Sequence, residues 1–92
     1  MAVDPTATLH LVFSSEGLTQ CRARCAAGDF IVLCENGVYT AGRIGDLPVP
    51  CHLLAEDAAQ RGVDDPGGPV TPIDRTQLVA LTLATARSVS WR

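Results

Sequence analysis

Most of the chemistry open to this chain rests on four cysteines, Cys21, Cys25, Cys34 and Cys51, with His10, His52 and Glu35 as the other candidates. A cysteine attacks or accepts sulfur as its thiolate, so a reactive one needs neighbouring positive charge and access to a partner. Cys21 has the first in its sequence neighbours Arg22 and Arg24, and it stands seven residues before Gly28, near the end of a helix expected to be exposed. It reads equally as a small apolar residue on a buried helix stripe, because free cysteine is among the most buried residue types. Cys25 falls deeper along the same stripe and is expected in the core. Cys34 ends one apolar run and Cys51 begins another, which makes both packing residues on the same burial argument. His10 lies inside an apolar run with no carboxylate paired to it in the local sequence, the usual place of a hydrogen-bonded interior histidine. Glu35 follows a strand-like run and is either a substrate-orienting carboxylate or a solvated loop residue.

Several classes of function are excluded. The cysteine gaps are irregular, with no C-x-x-C, and neither His10 nor His52 completes a zinc pattern, so no metal is expected. Gly28, Gly37, Gly42 and Gly45 make neither G-x-G-x-x-G nor a Walker loop, and Ser14, Ser15 and His10 form no recognisable catalytic triad order. No cofactor is expected. The net charge is -3, and all seven basic residues are scattered arginines, which offer a nucleic-acid backbone no continuous footprint. No apolar run is long enough to span a membrane, and MAVDPTATLH carries an acid where a signal peptide needs a basic start. The expected location is the cytoplasm, where the four thiols would stay free.

Positioning falls to one domain over residues 1–92, with 1–7 read as a loose leader. A chain this short buries roughly 60 to 65% of its unfolded surface. With 47% hydrophobic and 18% charged residues, it is expected to associate, as a subunit or as a homo-oligomer that stands in for missing partners.

The elements alternate. Leu9 to Phe13 reads as a strand, and Ser14-Ser15 can cap a helix from about Leu18 to Ala27, stopped by Gly28-Asp29. Phe30 to Cys34 is a continuous apolar run that suits a strand covered on both faces, and Asn36-Gly37 breaks it. The stretch Glu35 to Tyr39 then sits at a strand's carboxyl end, the usual place for a site in an open α/β sheet. Val38 to Arg43 reads as a helical turn before Gly45-Asp46, and Pro48 with Pro50 as a stiff connection. Cys51 to Leu54 is a strand that runs into a short helix beginning at Glu56-Asp57 and ending at Arg61-Gly62. DDPGGP at 64–69 is a surface loop. In Val70 to Ile73, Pro72 implies an edge strand or a strand end. Asp74 and Gln77 form a capping box for a last helix with Leu78, Leu81, Thr82 and Thr85 on one side, and SVSW reads as a final short strand. This is an α/β pattern: a small, mostly parallel sheet of four to five strands with helices on both faces.

Taken in order, LHLVFSS at Leu9 to Ser15, GDFIVLCENGVY at Gly28 to Tyr39, LLAEDAAQRG at Leu53 to Gly62, Ile73-Asp74 and the closing SVSW resemble the DsrH/TusB family of sulfur-relay proteins. The likeness implies a DsrEFH-like fold and a place in a heterohexamer with two paralogous small α/β subunits, TusC/TusD-like or DsrF/DsrE-like. It implies sulfur carried mainly as a persulfide on a partner's cysteine and passed to a TusE/DsrC-like acceptor, so the chain would not be independently catalytic. Cys21 matches a first-helix cysteine that some members carry, and the resemblance makes it an auxiliary persulfide carrier. The resemblance covers two pathways, and 2-thiolation of the tRNA wobble uridine is the one expected here because it is the more widespread. The alternatives are oxidation of stored sulfur compounds and a scaffold subunit whose thiols are inert.

Overall fold

A computed structural model of the chain describes residues 6–45, 47, 49–63 and 69–92. Five strands, β1 Thr8–Val12, β2 Phe30–Leu33, β3 Cys51–Leu54, β4 Val70–Ile73 and β5 Arg87–Trp91, form one parallel sheet in the order β4-β3-β2-β1-β5. The strands are short apolar runs, and every residue of β2 and β3 is buried, as parallel strands covered on two sides require. The chain matches the α/β architecture read from its sequence.

Connection order decides which face each helix covers. The links from β1 to β2, β2 to β3 and β3 to β4 all step the same way across the sheet, and right-handed crossovers then place their helices on one face. These are α1 Ser15–Arg24, a 3-10 segment Glu35–Arg43 and α2 Ala55–Gln60, whose Leu18, Cys21, Val38, Ala41 and Ala58 pack with Val12, Ile31 and Leu33. The return from β4 at one edge to β5 at the other carries α3, Arg75–Ala84, onto the opposite face over Leu9, Phe30, Val32 and Cys34. Helices cover both faces, but unequally: Leu81 is the buried residue of α3, while Val79 is 56% and Leu83 82% exposed.

Local signals set the helix starts. Ser14 Oγ accepts the Gly17 N–H at 2.9 Å, and Asp74 and Gln77 close the expected capping box at 2.8 and 2.9 Å. Pro72 lies in β4, an edge strand, where a missing N–H is tolerated. Two glycines answer to close packing. A side chain at Gly17 would overlap the Trp91 carbonyl oxygen, and one at Gly37 would overlap that of Val12.

Some boundaries moved. Helix α1 ends at Arg24 rather than Ala27, with Cys25 extended at its C-cap, because Asp29 Oδ2 takes the Ala26 N–H at 3.0 Å and turns residues 25–29 into a tight loop. The break read at Asn36-Gly37 is absorbed into the 3-10 segment, which starts one residue earlier with Glu35 in the left-handed region, φ 48°. Ala7, placed in the leader, is buried, and its carbonyl accepts the Ala86 N–H at 2.9 Å. Asp46, Pro48 and residues 64–68 of the DDPGGP loop lie outside the described residues.

Candidate functional site

His10 is central to the most elaborate polar arrangement, at the amino-terminal end of the sheet. Strand β1 points it to the α1 side, where β5 aligns Val89 beside it and Trp91 two positions on. Trp91 Nε1–H donates to His10 Nδ1 at 3.0 Å, and His10 Nε2 lies 2.8 Å from Asp29 Oδ2. An indole N–H can only donate, so Nδ1 accepts, and the ring proton sits on Nε2 and is donated to Asp29. Asp29 also takes the Thr8 N–H on Oδ1 and the Ala26 N–H on Oδ2, at 2.9 and 3.0 Å. Burial alone would raise its pKa, but the hydrogen bonds from His10, Thr8 and Ala26 outweigh this and hold it below the usual carboxylate range. A cleft of about 410 Å³ opens beside this group, lined also by Arg24 and Arg87.

His10 therefore has the paired carboxylate that its sequence neighbourhood lacks. With Cys25 it brings three ligand-type atoms within 4.8 Å of one another. The surroundings do not suit a cation. A metal-bound histidine presents its second ring nitrogen as a donor to an acceptor, whereas here that nitrogen faces the Trp91 donor. Nor can His10 serve Cys25 as a base, since both of its nitrogens are taken.

The cysteines are not arranged as their neighbours suggested. Cys21 is fully buried on the inner side of α1. Burial, then the thiols of Cys25 and Cys51 and the charge of Asp29, push its pKa up to about 12. Arg22, expected beside it, turns away to the carbonyl oxygens of Arg43 and Ile44. Cys25 is the more exposed of the pair, which corrects the expectation that it lies deeper, because α1 ends before it and the loop carries it toward the surface. Its thiol is also pushed up, first by burial and then by Asp29. Cys34 and Cys51 are buried packing residues with pKa values raised to about 12, mainly by burial.

The carboxyl ends of the strands hold a smaller cleft, about 250 Å³, with Phe13, Cys34, Glu35, Asp57 and Arg75 among its walls. Glu35 does sit there, but exposed; its backbone carries the tighter interaction, an N–H to Asp57 Oδ2 at 2.7 Å that supports the left-handed turn. Tyr39 points outward, 59% exposed. On the α3 side, His52 lines an apolar groove with Ile73 and Leu81, and its Nδ1 is buried without a hydrogen-bond partner among the described residues. Burial pushes its pKa down and keeps the ring neutral. Sequence reading missed Asp29, Trp91 and Asp57 as partners. Asp29 looked like part of a helix stop and Asp57 like a helix-start charge, and nothing within a few residues of either signals the residue it meets.

A family model described as DsrH like protein matches residues 12–88. Among solved structures, the crystal structure of the ychN protein from E. coli superposes with a TM-score of 0.67 at 17% identity, over 92% of this chain and 99% of that one. At that identity the likeness bears on the fold. No curated protein matches.

Proposed function

Because the chain belongs to the DsrH-like family, whose general role is that of a subunit in a sulfur relay, we propose that it organises such a relay while its partners carry the persulfide. The burial of Cys21 carries this reading. Transfer needs a thiolate within reach of another protein's sulfur, and a fully buried thiol with its pKa pushed to about 12 offers neither access nor charge. Cys34 and Cys51 are no better placed. An auxiliary persulfide on Cys21 is the second reading. It is favoured by the contact of this thiol with that of the more exposed Cys25, and it requires α1 to lift when the complex forms.

The partners in this proposal are two paralogous small α/β subunits in a heterohexamer and a TusE/DsrC-like acceptor. Val79 and Leu83, exposed one turn apart on α3, suit an apolar contact of that kind. The end product is the 2-thiolated wobble uridine of tRNA, the more widespread of the family's two pathways. With a net charge of -3 and no lysine, the chain would leave contact with the RNA to others.

Two measurements test this. Sulfane label supplied to the reconstituted complex should appear on a partner and not on this chain. Label on this chain that Cys21→Ser abolishes would restore the auxiliary reading. Deleting the gene should lower 2-thiouridine in bulk tRNA, read by mass spectrometry of nucleosides. Unchanged 2-thiouridine with failed oxidation of stored sulfur would move the chain to the other pathway.

A further inference from the structure

The chain has seven arginines and no lysine, and five of the seven are engaged with the protein itself. Arg22 donates to the carbonyl oxygens of Arg43 and Ile44, Arg43 to Ser15 Oγ, and Arg61 to Asn36 Oδ1. Arg75 pairs with Glu56, and Arg92 lies over the Phe13 ring, 4.2 Å from its centre. Arg24 and Arg87 make no side-chain hydrogen bond or ion pair among the described residues. They come from the last turn of α1 and the first position of β5, yet both line the cleft at the amino-terminal end of the sheet.

The acid on that cleft pairs with neither of them. Both oxygens of Asp29 are already bonded, Oδ1 to Thr8 and Oδ2 to His10 and Ala26. The Asp29 charge still offsets one of the two guanidinium charges, but it pairs with neither, so among the described residues this concave spot keeps an excess of positive charge on a chain that is acidic as a whole. The rest of the wall combines the polar Thr6, Thr8 and His10 with an apolar part made by Ala26, Ala27, Val89 and the indole of Trp91. A pocket with an apolar part beside charged and polar groups takes a ligand with the matching division.

We infer that this cleft binds a small organic anion, a carboxylate or phosphate monoester borne on a compact apolar body, held at its charged end by Arg24 and Arg87 and along its body by Trp91. The inference uses no persulfide chemistry and stands whether or not the relay reading does.

Trp91 is the chain's single tryptophan, so its indole N–H gives one unambiguous NMR signal at the cleft. Phenyl phosphate and benzoate, titrated into the full-length labelled protein at constant ionic strength, should shift that signal and the Arg24 and Arg87 Nε–H signals saturably. Inorganic phosphate should bind more weakly, and phenol should not saturate. Loss of one charge-assisted contact corresponds to about tenfold in affinity, so Arg24→Gln and Arg87→Gln should each weaken phenyl phosphate by about that factor and the double variant should abolish saturation. Both arginines are exposed, and an unchanged spectrum away from the cleft would show that the variants fold. Non-saturating shifts for both aromatic anions, equal binding of phenol, or full affinity in the double variant would overturn the proposal.

Discussion

Trp91 and His10 are 81 residues apart in the chain and joined by one hydrogen bond, indole Nε1–H to imidazole Nδ1 at 3.0 Å, between adjacent strands of the sheet. That bond makes Nδ1 the acceptor, so the ring proton sits on Nε2, which donates it to Asp29. Trp91→Phe keeps an aromatic ring there but removes the donor and leaves a buried nitrogen unpaired. The expected cost is about 1 to 3 kcal/mol. It should appear as a lower midpoint in urea unfolding with an unchanged slope. A midpoint equal to wild type would show that the bond contributes nothing net.

Asp29 makes stability depend on pH in a defined direction. Its folded pKa lies below the ordinary 3.8, so the folded state holds the ionised form more strongly than the unfolded state does. The stabilisation is therefore fully present above about pH 5 and is lost as pH falls below 3.8 toward the folded value. Asp29→Asn retains one acceptor oxygen for three donors and should be destabilised by about 2 kcal/mol or more at pH 7. The gap to wild type should stay constant down to about pH 5 and narrow below pH 4. Urea unfolding of both proteins across this range checks it, and a gap that widens on acidification would reverse the sign of the argument.

The four thiols should alkylate in an order that their sequence neighbours do not predict. A rise from 9.0 to about 12 lowers the thiolate fraction at neutral pH by about a thousandfold, and burial blocks the reagent as well. Cys25 should react first with iodoacetamide in the folded protein, while Cys21, Cys34 and Cys51 wait for unfolding. Peptide mapping after a timed pulse gives the order. Early labelling of Cys21 would show that α1 opens readily and would favour the auxiliary carrier.

Gly37 and Gly42 lie in the same 3-10 segment and should respond oppositely to alanine. At Gly37 a methyl group meets the Val12 carbonyl, and Gly37→Ala should cost about 1 to 3 kcal/mol. At Gly42 the space is open and φ is not positive, so Gly42→Ala should be neutral or stabilise by up to about 1 kcal/mol through the unfolded state. Thermal unfolding of the two variants side by side tests the contrast. Equal effects would mean that the approach of Gly37 to β1 is not tight.

What could be read from the sequence is what short-range forces decide. Phe30 to Leu33 declares a strand because its apolar run needs two covered faces, and Asp74 with Gln77 declares a helix start because the capping bonds close within four residues. Pro72 announced an edge strand or a strand end because a missing N–H can be tolerated there, and the ordered pieces from Leu9 to Trp91 pointed to the DsrH-like family. The environment of each reactive group was decided elsewhere. Arg22 is next to Cys21 in the chain, but its side chain finds the carbonyls of Arg43 and Ile44, and Cys21 finds the core. Asp29 reaches His10 across 19 residues and Trp91 reaches it across 81, distances over which no local preference acts. Those meetings exist because β1 lies between β2 and β5 in the sheet, and strand order is set by the burial of the whole apolar surface at once.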